Sequence, residues 1–436
     1  MDITPNDPSA PNDADWAALP PELVDKILIH SFAGAVLHIF KPQTFPWHLG
    51  QICQSWRSVF VSSPFFWDRF TVAVPGWHTF PSILHMEHSL ALVQLCLKRT
   101  KGHPFSFKFE MLRRTSTQMS AARLTMLLLY GHQLLQTLVG NADRWRDVYF
   151  IVNSEEISEL AKANHRFENL RTIKVQLHDL YSACYKYIPV NVFEGAPNLE
   201  RVFAPHYFRL PWSGITTLHL DLTSPMAYSG AELSQMTRLE ELEIWGFPDV
   251  NKSAAIKLPS LKILSVDFYS TLSLIDAPAL EGLYINAAMY SKMFEPYVPV
   301  FLRRVNHLKC ATLDLPAINM MEILKCITDL DQLILSGIFA LDALQQLMSS
   351  PVVYRLGRIT VSHSYHELDV LLAISESWKP RQIMNLRSLS IYVYGEDTIP
   401  PYISNLMQDR SVELGFEINI DTSQSEYRCC IPFGDL

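Results

Sequence analysis

A recurring apolar triplet constrains the fold of this 436-residue chain more than any other feature. Apolar residues stand at positions i, i+3 and i+5 in ten segments, a spacing typical of short strands that send these side chains into a core. The triplets begin at Leu170, Leu199, Ile215, Leu239, Leu261, Leu280, Cys310, Leu330, Leu356 and Leu386. Because about a quarter of the residues are Ile, Leu or Val, chance alone would give roughly six or seven triplets, so spacing and context must decide.

The spacing favours a repeat array. Successive triplets start 16 to 30 residues apart, around the about 20–29 residues expected of leucine-rich repeats. Proline precedes three of the strands, at Pro197, Pro259 and Pro278, where it keeps the preceding residue extended and ends any helix. A triplet at Trp145 and the alternating phenylalanines from Phe105 extend the series towards the N-terminus. The polar residue that regular repeats place about eight positions after the first Leu is missing, so we predict a degenerate leucine-rich-repeat-like array.

Composition limits the classes of partner. Hydrophobic residues make up 48% of the chain and charged residues 18%, which is enough apolar material for folded cores and excludes global disorder. The formal net charge is −8 and no strongly basic run is present, so we expect no nucleic acid partner. No apolar stretch approaches the roughly 18 residues that span a bilayer, so we expect no membrane partner.

The N-terminus and the cysteines indicate the compartment. Residues 1–15 are polar and Pro-rich and lack Lys, Arg and an apolar core, so we predict a disordered tail rather than a signal or transit peptide. Seven scattered cysteines are typical of reduced thiols in an intracellular protein. We therefore expect a cytoplasmic and/or nuclear location.

Motifs for catalysis and cofactor binding are missing from the sequence. We find no glycine-rich phosphate loop, no Gly-x-Ser-x-Gly and no Cys-x-x-Cys. The pairs His85/His88 and His363/His366 offer two ligands each where zinc needs three or four, and the vicinal Cys429-Cys430 is more typical of idle thiols. We predict no catalytic residue, no metal site and no cofactor.

Residues 16–68 follow a helical pattern instead of the strand pattern. Pro20-Pro21 suits the first turn of a helix, and Leu23 and Ile27 begin an apolar stripe. After an irregular connection, apolar residues at intervals of three and four predict a second helix from about Trp47 to Ser62, which Pro64 ends.

This segment resembles an F-box in the form common in fungal F-box proteins. The resemblance lies in three blocks in order: Leu19-Pro20-Pro21-Glu22-Leu23, then Pro46-Trp47 to Trp56-Arg57, then Pro64-Phe65-Phe66-Trp67. It implies that the segment binds a Skp-family adaptor and, through it, a cullin. The residues implied at that interface, some shared with the module's own core, are Leu19, Pro20, Leu23, Ile27, Leu28, Ile52, Cys53 and Trp56. From periodicity alone, an ordinary helical hairpin packed on the array remains an equal alternative.

In the repeats, strand alternation places the residues between the apolar positions on the opposite, concave face of the sheet. Aromatic and acidic residues on such a face suit protein binding, and a merely solvated face is the alternative. The predicted target-binding residues are His219, Glu243, Trp245, Asp267, Tyr284, Asn286 and Tyr392.

The predicted fold class is α/β, with a short all-helical F-box-like module at residues 16–68 and an irregular leucine-rich-repeat-like α/β solenoid at residues 69–436. The predicted function is that of a non-catalytic, substrate-recognition subunit of a Skp–cullin–F-box ubiquitin ligase, in which the solenoid holds an unidentified target protein. An interaction scaffold outside any ubiquitin ligase is the main alternative, and an enzyme with an unrecognised site is the third.

Overall fold

A computed structural model of the chain shows a mixed α/β protein with a large parallel sheet. The residues that it describes are 19–31, 35–41, 44, 47–74, 83–111, 121–161, 167–178, 191–204, 208–221, 230–245, 256–267, 269–286, 297–305, 308–327, 329–336, 340–348, 350, 355–364, 385–394, 401–415 and 417–421. The predicted tail at residues 1–15 and the pair Cys429-Cys430 lie outside the described residues.

The described residues form two compact units. Unit 1 contains those from Leu19 to His178 together with residues 195–198, and unit 2 contains residues 191–194 and those from Leu199 onward. Residues 16–68 therefore share a unit with the strands that follow them.

In unit 1, helices alternate with parallel strands. The α-helices are α1 (Pro21–Ser31), α2 (Gln54–Ser62), α3 (Ile83–Arg99), α4 (Ala121–Val139) and α5 (Ser154–Leu160), and short 3-10 helices cover Trp47–Gln51, Pro64–Trp67 and Ala142–Arg144. The strands are β1 (Leu37–His38), β2 (Arg69–Ala73), β3 (Phe105–Glu110), β4 (Trp145–Val152) and β5 (Thr172–Leu177), which lie side by side in chain order. Such parallel neighbours need a crossover between strands, which the helices supply.

Unit 2 repeats the alternation with shorter elements. Its strands are β6 (Arg201–Ala204), β7 (Thr217–Asp221), β8 (Glu241–Trp245), β9 (Ile256–Lys257), β10 (Ile263–Val266), β11 (Ile275–Asp276), β12 (Gly282–Asn286), β13 (Cys310–Asp314), β14 (Gln332–Leu335), β15 (Arg358–Ser364), β16 (Ser388–Tyr394) and β17 (Glu417–Asp421). Its helices are a 3-10 turn at Trp212–Gly214, α6 (Gly230–Leu233), α7 (Tyr269–Leu272), α8 (Tyr297–Arg304), α9 (Ala317–Cys326), α10 (Ala340–Met348) and α11 (Pro401–Leu414). The strands lie in chain order, except that β9 and β11 pair separately with each other.

The predicted triplets supply the core of unit 2. The i+3 residue of each strand faces the i+3 residue of the next, so that Leu218 is level with Leu242, and Leu242 with Leu264. The same buried row continues through Leu283, Ala311, Leu333, Ile359 and Leu389. The hydrophobic effect therefore selects this register, since a slip of one residue would turn every one of these side chains to the other face.

One triplet was assigned two residues too late. The sequence pattern began at Cys310, but Ala311 is the residue opposite Leu283, so the triplet is Leu308, Ala311 and Leu313. Alanine is too small to stand out in a pattern of large apolar residues, although Ala311 is completely buried.

The prediction of an all-helical module at residues 16–68 is wrong. Leu37–His38 is a strand that pairs parallel with β2, with Leu37 opposite Phe70. Leu37 is completely buried, and pairing with β2 lets its backbone form hydrogen bonds where water is excluded. The predicted second helix is divided into the 3-10 turn at Trp47–Gln51 and α2.

Candidate functional site

Two surfaces carry the residues that the sequence singled out, one in each unit. The first is formed by exposed apolar side chains in the N-terminal segment, at Leu23, Ile52 and Phe65, and is called the N-terminal apolar surface below. These three side chains are 47%, 52% and 44% exposed. Single exposed apolar residues are normal on a protein surface, so these three mark a binding surface only where the segment brings them together.

Helix α1 has one buried and one exposed apolar side. Val24 and Leu28, four residues apart, are completely buried, whereas Leu23 points away from this pair and is exposed. Ile27 is half-buried, as is Leu19, and Pro20 is exposed. Leu28 thus belongs to the core and supports the surface instead of forming it.

The residues just before α2 and those in α2 also include both exposed and buried apolar side chains. Ile52 is exposed, Cys53 is half-buried, and Trp56 is buried with 7% of its surface exposed. Sequence analysis placed Phe65 in the resembling motif but not among the interface residues, and its 44% exposure adds it to the surface.

Buried aromatic rings hold this surface in place. Trp67 is completely buried, and its indole N–H donates a hydrogen bond of 2.9 Å to the carbonyl oxygen of Phe60. The Trp67 ring lies 5.0 Å from that of Phe60 and 5.7 Å from that of Trp47, both favourable distances for aromatic pairs.

Contacts with α3 and the turn after it join the segment to the rest of unit 1. The guanidinium of Arg99 lies 4.2 Å above the Trp67 ring, and Lys101 Nζ donates a hydrogen bond of 2.8 Å to the carbonyl oxygen of Ser62. Burial lowers the pKa of Arg99, and the group remains a cation over the ring face.

The second surface is the face of the unit 2 sheet opposite to the Leu218–Leu389 row, and three predicted target-binding residues come together on it. The Glu243 carboxylate contacts His219 Nδ1 and accepts a hydrogen bond of 2.5 Å from the Trp245 indole N–H. The Phe203 ring lies 4.3 Å from the His219 ring on its other side. We call Phe203, His219, Glu243 and Trp245 the sheet-face cluster.

The cluster fixes an exposed aromatic ring. Trp245 is 47% exposed, whereas Glu243, which orients it, is only 9% exposed. A large ring held by a buried carboxylate loses little conformational entropy on binding, and tryptophan is enriched among the residues that dominate interface energies.

The remaining predicted residues differ in accessibility. Asp267 is half-buried directly after β10, where the β8–β10 register continued by one residue places it level with Trp245, and Asn286 is exposed on β12. Tyr284 is only 7% exposed and offers little surface to a partner. Tyr392 is half-buried on β16, four strands beyond β12 and thus roughly 19 Å away, so it does not belong to the same patch.

The sequence analysis missed two polar residues on β13. Thr312 is 5% exposed, and neither its hydroxyl nor Oδ1 of Asp314 has a hydrogen-bond partner in the described part of the chain. Burial raises the pKa of Asp314. Strand alternation places both residues on the sheet face, and that is the signal by which they could have been found.

The described residues show neither a metal-binding cluster nor a membrane-spanning helix. Among the residues with described side chains, no three His, Cys, Asp or Glu are grouped so that they could hold a metal ion. Of the two predicted histidine pairs, His88 is exposed on α3, and His85, His363 and His366 are not among the residues whose side chains are described. In the described helices, no span combines the length and the apolar character that a bilayer crossing requires.

Comparison with known proteins adds no relative: neither a scan against protein-family models nor a search of curated proteins finds a match to this chain.

Proposed function

We propose that the chain is a non-catalytic, substrate-recognition subunit of a Skp–cullin–F-box ubiquitin ligase. The N-terminal apolar surface binds a Skp-family adaptor and through it a cullin, and unit 2, as part of a leucine-rich-repeat-like solenoid, holds a target protein with its sheet face. The observation that carries the proposal is the exposure of Leu23 and Ile52 in the segment that resembles an F-box.

The exposed side chains suit an interface with a few large anchors. Leu23 is presented by a helix whose other side is tightly packed, so little order is lost when a partner covers it. Because about half of each side chain is still exposed, burying Leu23 or Ile52 contributes about 1 kcal/mol each, and such anchors carry most of the energy of protein interfaces.

In this proposal, the chain performs no chemistry. It holds a target lysine near the conjugating enzyme and thereby raises the effective concentration of that lysine. The complex acts in the cytoplasm and/or nucleus.

The test is co-purification of the full-length chain with a Skp-family adaptor. We expect Leu23→Asp to abolish retention of the adaptor, because the interface would bury an unpaired charge. The matched control is Leu129→Asp on α4, where the leucine is 61% exposed in the same unit. Loss of the adaptor with Leu23→Asp alone would support the proposal, and equal retention by both variants would refute the interface.

The alternative is an interaction scaffold outside any ubiquitin ligase. The sheet-face cluster favours protein binding in either case, because its exposed tryptophan is preorganised independently of the N-terminal segment. A parent chain that fails to retain the adaptor would favour this alternative.

A further inference from the structure

The sheet face of unit 2 has a strong charge bias between β7 and β14. The outward positions of these strands follow from the register of the Leu218–Leu389 row. Carboxylates occupy four of them and the position directly after β10, and none of these positions holds Lys or Arg. The five, called the acidic strip below, are Asp221, Glu241, Glu243, Asp267 and Asp314. Focused negative potential of this kind attracts cations and steers basic partners.

Acidic residues on a surface are common, so the polar groups on β13 are needed as a second observation. Thr312 stands two residues before Asp314 on the same face and is 95% buried (5% exposed), with its hydroxyl unpartnered among the described residues. Oδ1 of Asp314 is also buried without such a partner. Native proteins rarely leave buried polar atoms unsatisfied, because each costs about 1–3 kcal/mol.

The group that is missing at Thr312 and Asp314 is a hydrogen-bond donor. A carboxylate accepts hydrogen bonds, and a threonine hydroxyl can also accept them, so one cationic group can satisfy both residues. Asp314 is half-buried, so part of its carboxylate is open to a partner, and a guanidinium or ammonium group there forms a charge-assisted hydrogen bond, which is stronger than a neutral one.

We propose that the acidic strip binds a segment of the target protein that carries lysine or arginine, with one cation bound between Thr312 and Asp314. A second cation lies over Trp245, whose exposed ring offers a cation–π contact beside Glu243. The inference rests on the proposed function, since it takes this face to be the target-binding surface.

The strand positions set the spacing of the two cations. Trp245 and Asp314 are in the same row, separated by three strand intervals across β8, β10, β12 and β13. Three intervals measure roughly 14 Å, which an extended segment spans in about four residues. The target segment therefore carries its cations about four residues apart.

The experiment measures fluorescence anisotropy of a labelled peptide, Gly-Arg-Gly-Ser-Gly-Arg-Gly, with the full-length chain at low ionic strength. The same peptide with glutamate in place of both arginines is the charge-reversed probe. We expect the arginine peptide to bind and the glutamate peptide not to bind. We expect Asp314→Asn to weaken the arginine peptide at least tenfold, because the buried charged acceptor is lost.

Asp329→Asn is the matched control. Asp329 is exposed in unit 2 and lies before β14, so it is not one of the outward strand positions. Its substitution removes the same charge as Asp314→Asn. It should leave the affinity unchanged. Near-UV circular dichroism checks that each variant is folded. If Asp314→Asn is not folded, the isosteric Thr312→Val replaces it, and we expect that variant to bind the arginine peptide severalfold more weakly. Equal weakening by the Asp314 and Asp329 variants, unchanged affinity in both β13 variants, or no binding of the arginine peptide would overturn the inference.

The outcomes also separate this inference from the proposed function. Retention of the adaptor without binding of the arginine peptide would overturn the acidic-strip inference alone. Binding of the arginine peptide by a chain that does not retain the adaptor would leave the strip in place and refute the ligase proposal.

Discussion

At the scale of single residues, burial changes the pKa of side chains that look ordinary in the sequence. Asp314 is one aspartate among many in the sequence, but desolvation raises its pKa above the ordinary value of 3.8. The folded chain therefore holds the Asp314 proton more tightly than the unfolded chain, and ionisation at neutral pH destabilises the fold.

The first residue-scale prediction is that Asp314→Asn raises the melting temperature of the chain at pH 7, because it removes a partly desolvated charge. The gain should be full above the raised pKa. It should shrink as the pH falls and disappear below 3.8, where Asp314 is protonated in both states.

Thermal melts of the parent and the variant at pH 7 and at about pH 3, which is below the ordinary value of 3.8, check this prediction. Asp329→Asn should leave the melting temperature unchanged at both values, since Asp329 is exposed. An Asp314→Asn gain of the same size at the two pH values would show that desolvation of the charge is not its cause. Together with weaker binding of the arginine peptide, a gain at pH 7 would mean that Asp314 is kept at a cost in stability.

At the scale of residues, the sequence predicts on which face of the sheet a side chain lies better than it predicts how exposed that side chain is. Strand alternation places Tyr284 and Trp245 on the same face, yet they are 7% and 47% exposed. The Tyr284 ring lies against Gly282, where an added Cβ would be 3.6 Å from Tyr284 Cε2. Glycine leaves the space into which the tyrosine folds, whereas Trp245 donates a hydrogen bond to Glu243 and remains 47% exposed. The alternation of apolar and polar residues in the sequence indicates neither the contact of Tyr284 with Gly282 nor the hydrogen bond of Trp245.

At the scale of elements, the triplets predicted the strands of unit 2 because both depend on the same burial. The failures have physical causes too. The β13 register depends on Ala311, which is buried but small, and β17 has Gly415 where a triplet would begin. Trp67, Phe70 and Val72 do form a triplet, which leads into β2, but the resemblance of the preceding residues to a helical motif hid it.

The element-scale prediction concerns β14, whose residues alternate between core and face. Leu333 is completely buried between Ala311 and Ile359, so Leu333→Ala should lower the free energy of unfolding by about 2–5 kcal/mol. Gln332→Ala, one residue earlier and half-buried, should change it by less than about 0.5 kcal/mol. Chemical denaturation monitored by tryptophan fluorescence measures both values. Equal effects of the two substitutions would contradict the register.

At the scale of the whole molecule, the predicted boundary after residue 68 does not separate two compact units. Residues on both sides of it belong to unit 1, where β1 pairs with β2 and Arg99 covers Trp67. The element type changes at this point, from the 3-10 turn at Pro64–Trp67 to β2, but a change of element type does not make a separate core. The F-box-like segment is in this respect an integral part of unit 1.

This arrangement predicts that a chain without residues 1–68 does not fold normally in unit 1. The deletion removes the fully buried Leu37 and Trp67, leaves β2 as an uncovered strand edge and takes away the ring that Arg99 of α3 covers. We expect unit 1 of the truncated chain to be cleaved by protease much faster than that of the parent chain, with fragments identified by mass spectrometry. Leu23→Asp should retain the parent's resistance, because Leu23 is already exposed to water. A truncated chain with unchanged resistance would show that the segment folds apart from unit 1, and simple truncation would then be a clean test of adaptor binding.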